Sequence, residues 1–173
     1  KESAKQGEDT VITTLNNFSL AKFANIENLT YTGSEYSFLT GNKLNNVLIG
    51  GSGENDLLGG LGNDTLTGGA GKDYFIFNTK LGNTNVDTIT DFVSGEDVVI
   101  LNPKLFKQLA KSFTEDNFVT GNSTLDSNDY VIFNNETKTL YFDADGSGTK
   151  ASAQAICIVG TTSTITFNDI EIG

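Results

Sequence analysis

The chain has 173 residues, which suits one ordinary domain, and its 22 acidic residues against 11 basic ones give a formal net charge of −11. This charge argues against nucleic acid and anionic membranes as partners and favours divalent cations. The sequence contains no His, which excludes H-E-x-x-H zinc proteases and Ser/His/Asp hydrolases. We therefore expect a non-catalytic fragment.

The first segment, residues 1–40, is polar with short apolar runs, and the stretches at 26–31 and 38–39 have strand character. We expect this segment to form lead-in strands or a cap packed on the glycine-rich segment that comes next. Its first five residues do not form a signal peptide, and with no initiator Met the chain is expected to be a piece of a longer protein. The whole chain has no apolar run of membrane-spanning length, so we expect no membrane insertion.

The second segment, residues 41–76, repeats a nine-residue pattern. Residues 59–67, GGLGNDTLT, and 68–76, GGAGKDYFI, match G-G-x-G-x-D-x-U-x, with U apolar, at every position. Residues 50–58, GGSGENDLL, carry Asn55 in place of Asp, and residues 41–49, GNKLNNVLI, keep Gly41, Asn46 and Leu48. This pattern is an established signature of calcium-binding parallel β-helices.

Each position of the repeat has a physical role. Glycines permit backbone turns with positive φ and let carbonyl oxygens face an ion, and the Asp adds a charged oxygen, while Ca²⁺ takes six to eight oxygens. The U residues should form one buried column, made of Leu48, Leu57, Leu66 and Phe75. If two repeats make one coil, Asp64 should stack near Asn46, and Asp73 near Asn55. Such mixed pairs would bind calcium more weakly than two Asp, or stack without metal.

The third segment, residues 77–173, has ordinary composition and is expected to form a β capping region within the same structural domain. Strands are predicted at 86–92, 97–101, 130–133, 139–142, 153–159 and 164–172, with a hairpin across 130–142 and a buried Cys157. A short helix is predicted from Pro103 to Ser112. The fold class is therefore all-β with one short helix.

Residues 41–172 resemble the RTX (repeats-in-toxin, or hemolysin-type) roll and C-terminal domain of serralysin-type secreted metalloproteases. Beyond the repeats, the resemblance rests on D-x-I-x-D-F at 87–92, G-x-D-x-I-x-L-like residues at 95–101, D-A-D-G-S-G at 143–148 and the ending at 169–172. It implies a short parallel β-roll that continues into a β-sandwich-like C-terminal part. It also implies a secreted bacterial module, extracellular or on the cell surface, that folds on Ca²⁺ and carries a C-terminal signal for the type I secretion apparatus.

The resemblance also implies the calcium ligands, through glycine carbonyls and side-chain oxygens. The candidates are Gly50, Gly51, Gly53, Asn55, Gly59, Gly60, Gly62, Asp64, Gly68, Gly69, Gly71, Asp73, Asp87 and Asp91. Asp87 and Asp91 match family carboxylates that close the last site, with solvation at a strand end as the alternative. Asn46, Asp143 and Asp145 are further candidates, and for the last two a polar turn is an equal alternative.

A different class of function stays open. Adhesins, surface-layer proteins and polysaccharide-modifying enzymes reuse the same roll, so the chain is alternatively a calcium-dependent module that binds a glycan or a cell surface. Tyr31, Tyr36 and Tyr130 are the aromatic candidates for glycan contact, with ordinary strand packing as the simpler interpretation.

Overall fold

The computed structural model describes residues 7–121, 126–146 and 153–173, and these ranges form two β-sheets. The strands are β1 Thr10–Thr13, β2 Asn17–Ser19, β3 Asn28–Tyr31, β4 Ser37–Thr40, β5 Val47–Ile49, β6 Asn55–Leu58, β7 Thr65–Thr67, β8 Tyr74–Phe77, β9 Asp87–Ile89, β10 Val98–Leu101, β11 Phe118–Thr120, β12 Val131–Asn134, β13 Thr139–Phe142, β14 Gln154–Val159 and β15 Ile170–Ile172. Three short 3₁₀ helices lie at Leu20–Lys22, Glu115–Asn117 and Phe167–Asp169. The described helices are all too short to span a membrane.

The first ten strands wind as a parallel roll that alternates between the two sheets. Among these ten strands, the odd-numbered ones lie in sheet A, in the order β1-β3-β5-β7-β9. The even-numbered ones lie in sheet B, in the order β10-β8-β6-β4-β2. β5 pairs with β7, with Val47 opposite Thr65, and β6 pairs with β8, with Asp56 opposite Tyr74. Opposed residues are therefore eighteen positions apart in the chain. The predicted coil of two repeats is thus confirmed.

Residues 10–40 wind in the same way as the glycine-rich repeats. β1 pairs in parallel with β3, β3 with β5, and β2 with β4. The roll therefore begins well before the recognisable nonapeptides. Its first coils lack Gly-Gly pairs, and the turn between β2 and β3 is instead built from a 3₁₀ helix whose Ser19 side chain accepts the N–H of Ala21.

A column of apolar side chains fills the space between the sheets. Leu48, Leu57, Leu66 and Phe75 are fully buried, which confirms the predicted column, and Leu29, Leu39, Ile89 and Val99 extend it in both directions. Each comes from a short strand, where the alternation of side chains turns this residue inward. Within residues 41–76 each coil buries only two such apolar residues, so apolar burial per coil is small in the glycine-rich segment.

Truncation of this column should lower stability. We expect Leu66→Ala to reduce the free energy of unfolding by about 2–5 kcal/mol, since Leu66 is fully buried and its neighbours are held by the coils above and below. Denaturant unfolding in saturating calcium measures the effect. Leu15→Ala is the matched control, because Leu15 is 62% exposed and its truncation should change stability by less than about 0.5 kcal/mol. Equal effects of the two variants would contradict the packing described.

The C-terminal part extends both sheets. In sheet A, β14 joins β9 in parallel and continues into β13, β12 and β11, while in sheet B β15 joins β10. β12 and β13 form the predicted antiparallel hairpin, whose turn places Lys138 at φ 57°. Cys157 is fully buried, as predicted. Among the described residues, sheet A thus gains four strands beyond β9, and sheet B gains one beyond β10.

The helix predicted from Pro103 to Ser112 is wrong. This segment is a series of turns, in which the Asn102 carbonyl accepts N–H groups from both Leu105 and Phe106. The Asn102 side chain also accepts the N–H of Lys104, a local bond that competes with helix initiation. Phe106 and Leu109 are buried all the same. Ten residues form a marginal helix by themselves, so tertiary packing decides their backbone conformation.

Candidate metal centre

The turns of the roll stack in two columns, one along each edge. Edge 1 comprises the turns that lead from sheet A to sheet B, at residues 50–54, 68–73 and 90–97. Edge 2 comprises the turns that lead from sheet B to sheet A, at residues 41–46, 59–64 and 78–86. The predicted ligands of the nonapeptides are thereby divided between the two edges. An inter-turn site is defined here as the space between consecutive turns of one edge.

Close stacking of these turns depends on glycine. Gly60 and Gly69 have φ values of 104° and 105°, and a Cβ on either would overlap a carbonyl oxygen of the preceding turn on the same edge. Gly59 and Gly68, the first glycines of the two complete repeats, lie against the carboxylates of Asp64 and Asp73. The glycines thus bring carbonyl and carboxylate oxygens within a few ångströms of one another, as calcium coordination requires.

On edge 2, acidic and amide side chains form a ladder. The backbone N–H of Asn46 donates to Asp64 Oδ1 at 2.7 Å, across eighteen residues of chain. The N–H of Asp64 donates in turn to Asp87 Oδ1 at 3.0 Å. The predicted neighbours Asn46 and Asp64 are therefore confirmed, and Asp87 is the next member of the same ladder.

Edge 1 carries an equivalent ladder. The N–H of Asn55 donates to Asp73 Oδ1 at 2.9 Å, which confirms that predicted pair, and the N–H of Asp73 donates to Asp97 Oδ1 at 3.0 Å. Asp97 was not among the predicted ligands. The sequence does contain a signal for it, because Gly95-Glu96-Asp97 repeats the Gly-x-Asp spacing of residues 62–64 and 71–73.

Asp91 and Asp87 lie on opposite edges, at the two ends of β9. The two oxygens of Asp91 accept the N–H groups of Gly68 and Gly69 on edge 1, each at 2.9 Å. The expectation that Asp87 and Asp91 close one common site is therefore corrected. Asp87 is the first residue of β9 and Asp91 lies two residues after its end, so each carboxylate lies at the last turns of its own edge.

The ladder carboxylates are buried, and within the described part of the chain no positive charge compensates them. Burial raises the pKa of Asp64 to about 6, and burial raises the pKa of Asp73 and of Asp87 to about 7, while the pKa of Asp97 is raised for the same reason. The nearby charges that act on these groups belong to other carboxylates. Asp64 Oδ2 is fully buried and accepts no hydrogen bond.

These residues fit a hard divalent cation. Buried carboxylates that repel one another are stabilised by a cation, and the carboxylate and carbonyl oxygens present are the ligand types that calcium takes. Within residues 7–121, 126–146 and 153–173, His, Cys, Asp and Glu side chains form no group of three or more that could hold a metal. A bound ion would therefore take most of its ligands from backbone carbonyls of the glycine turns.

The family model described as Peptidase M10 serralysin C terminal matches residues 7–171. The chain belongs to the serralysin C-terminal family. No individual curated protein matches the chain. Serralysin C-terminal domains are RTX-repeat β-rolls and non-catalytic modules of secreted proteins, and the all-β roll described above has that architecture.

Of the remaining predicted ligands of this serralysin C-terminal chain, two lie in the ladders and two lie outside the roll. Asn46 and Asn55 are buried in the ladders, where they supply amides in place of carboxylates. Asp143 is buried just after β13, Asp145 is exposed, and the N–H of Asp145 donates to Asp143 Oδ1 at 3.4 Å. These two acids belong to neither edge of the roll. Ser147 and Gly148, which complete their motif, lie outside the described residues.

If this serralysin C-terminal roll binds calcium through these carboxylates, their raised pKa values would make the binding dependent on pH. In the metal-free fold, burial raises the pKa of Asp64 from 3.8 to about 6 and that of Asp87 from 3.8 to about 7. The protonated carboxyl groups therefore contribute stability that is fully present below about pH 3.8 and is lost as the pH rises through 6 to 7. Calcium and protons compete for the same carboxylates. We expect calcium affinity measured by calorimetry to fall roughly tenfold or more from pH 8.0 to pH 5.5. Affinity that stays constant over this range would contradict the assignment.

Proposed function

We propose that this chain is a calcium-binding RTX module of a secreted bacterial protein, which folds on Ca²⁺ outside the cell and supports the export and stability of a larger parent. The observation that carries the proposal is the fully buried Asp64 Oδ2, which lies in a ladder of carboxylates and accepts no hydrogen bond. Membership of the serralysin C-terminal family supports it.

The residues that would hold calcium follow from the two ladders. Carbonyl oxygens of the turns at 59–62 and 68–71 would provide backbone ligands, while Asp64, Asp73, Asp87, Asp91 and Asp97 would provide carboxylates. A bound dication would neutralise the ladder charges and connect consecutive turns. Since the coil at residues 59–76 buries only Leu66 and Phe75 against the entropy of ordering about eighteen residues, this coil would depend on the binding energy of calcium for its folding.

Export is expected to precede folding. The C-terminal segment that would carry the type I signal is part of sheet B in the folded chain, because β15 pairs with β10. Asp169 is buried and accepts hydrogen bonds from Ser94 Oγ at 2.6 Å and the Gly95 N–H at 2.8 Å. An apparatus that reads this segment would therefore need the chain before calcium folds it, as in a cytosol with low free calcium.

A titration of free calcium tests the proposal. We expect the hydrodynamic radius, measured by size-exclusion chromatography, to decrease to that of a compact domain between micromolar and millimolar free calcium. Magnesium at the same concentrations is the control, and it should have little effect because it prefers fewer, more rigid ligand sets with bound water. A compact radius in excess chelator that calcium leaves unchanged would refute a calcium-triggered module.

The glycan-binding alternative has less support in the structure than in the sequence. Tyr31 is only 3% exposed, which fits strand packing and argues against its contact with a glycan. Tyr36 is exposed, but its hydroxyl donates to Asp56 Oδ2 at 2.8 Å. Tyr130 packs against the core. A glycan array in millimolar calcium would distinguish a binding module from a folding and export module.

A further inference from the structure

One inter-turn site of edge 1 is filled by a side-chain amide. Asn55 occupies the position that holds Asp in the two complete repeats. Its Nδ2 group donates to the carbonyl oxygen of Gly53 at 2.5 Å, to the carbonyl oxygen of Gly68 at 3.3 Å and to Asp73 Oδ1 at 3.0 Å. Two backbone carbonyls and one carboxylate from consecutive turns thus converge on an N–H donor. These are the oxygen types that would surround a calcium ion.

The oxygen of the same amide is also fully engaged. Asn55 Oδ1 accepts the hydroxyl of Ser37 at 2.6 Å and the N–H of Gly51 at 3.1 Å. Ser37 and Asn55 are both fully buried. A calcium ion placed between residues 50–54 and 68–73 would have to displace the amide and break these bonds, and the neutral amide would return less electrostatic energy than a carboxylate.

The equivalent pair on edge 2 provides a contrast within the same molecule. Asn46 likewise lies one coil before an Asp, which is Asp64. Its Nδ2 group, however, turns toward the preceding coil and donates to the carbonyls of Glu27 and Ile26 at 3.0 and 3.3 Å. Asp64 therefore receives no bond from this amide, and Asp64 Oδ2 has no hydrogen-bond partner. Of two Asn–Asp pairs, one has its amide bonded to the Asp of the pair, and the other leaves a buried carboxylate oxygen without a donor.

We propose that the Asn55 amide takes the place of a calcium ion, so that the inter-turn site between residues 50–54 and 68–73 stays metal-free in the folded protein. Gly50, Gly51, Gly53 and Asn55 are then structural residues of the roll. Calcium binds instead where a buried carboxylate oxygen lacks a donor, as at Asp64 Oδ2 on edge 2. The inference rests on the proposed function, because it assigns which sites of the calcium module are loaded.

Substitution of Asn55 by Asp tests the inference through calcium stoichiometry. Asn55→Asp removes the N–H donors and creates a pair of carboxylates, so we expect it to bind one more calcium ion per chain than the wild type at saturating calcium, measured by equilibrium dialysis and elemental analysis. Asn135→Asp is the control, because this substitution adds the same charge at an exposed position in the β12–β13 turn. It should leave the stoichiometry unchanged.

A second measurement needs no variant. In the calcium-loaded wild type, the side-chain NH₂ protons of Asn55 should exchange slowly with solvent in NMR spectra, because they are buried and hydrogen-bonded, whereas those of exposed Asn135 should exchange fast. Rapid exchange at Asn55, or an Asn55→Asp variant that folds and binds no additional ion, would overturn the inference. A wild type that binds no calcium at all would instead refute the proposed function.

Discussion

Replacement of Gly69 by Ala is expected to destabilise the calcium-loaded roll by at least about 3 kcal/mol. Gly69 has φ 105°, a conformation that strains an L-residue by about 1–3 kcal/mol, and its Cβ would also overlap the carbonyl oxygen of Gly51. Neither the added Cβ nor the Gly51 carbonyl oxygen can move easily, because each is attached to the backbone of a stacked turn. Denaturant unfolding in saturating calcium measures the loss.

Gly82→Ala provides the matched control for Gly69. Gly82 lies in the turn between β8 and β9, and an added Cβ there would meet no atom within 4 Å. We expect this variant to change stability by less than about 1 kcal/mol. If the two variants were equally stable, the close stacking of turns on edge 1 would be refuted.

Substitution of Asp64 by Asn should change stability in opposite directions with and without calcium. The amide keeps an oxygen that can accept the Asn46 N–H, but it removes a buried charge whose pKa is raised to about 6. At pH 7.5 the metal-free fold should therefore gain stability, whereas the calcium midpoint of folding should rise by roughly tenfold or more, since a charged ligand is lost.

Asp116→Asn is the control for this charge removal. Asp116 is exposed in the 3₁₀ helix Glu115–Asn117, and its loss should leave both the metal-free stability and the calcium midpoint nearly unchanged. If Asp64→Asn weakened the metal-free fold and left the calcium midpoint at the wild-type value, Asp64 would be a structural residue rather than a ligand.

The repeat pattern predicted much of the roll because its periodicity is strict. The nine-residue spacing led directly to the coil length, to the pairs Asn46–Asp64 and Asn55–Asp73, and to the buried column through Leu66. The hairpin at 130–142 was predicted for a similar reason, since two β-rich runs flank a short polar turn. In both cases the folded structure adopts the geometry that the local sequence favours.

Other features depend on contacts that the sequence does not encode locally. The coils of residues 10–40 lack paired glycines, so only strand pairing reveals them. The turns at 103–112 follow from the burial of Phe106 and Leu109 against distant strands, which outweighs a weak helical pattern. The different directions of the Asn46 and Asn55 amides depend on which neighbouring carbonyls each can reach.

Amide hydrogen exchange at the ladder residues tests most directly whether the buried carboxylates require a dication. The N–H groups of Asp64 and Gly68 donate to Asp87 and Asp91, so their exchange reports on both edges. At pH 7.5 we predict protection of roughly a thousandfold or more with saturating calcium, and exchange close to that of an unfolded chain in excess chelator. Equal protection of both amides in the two conditions would contradict a calcium-dependent roll.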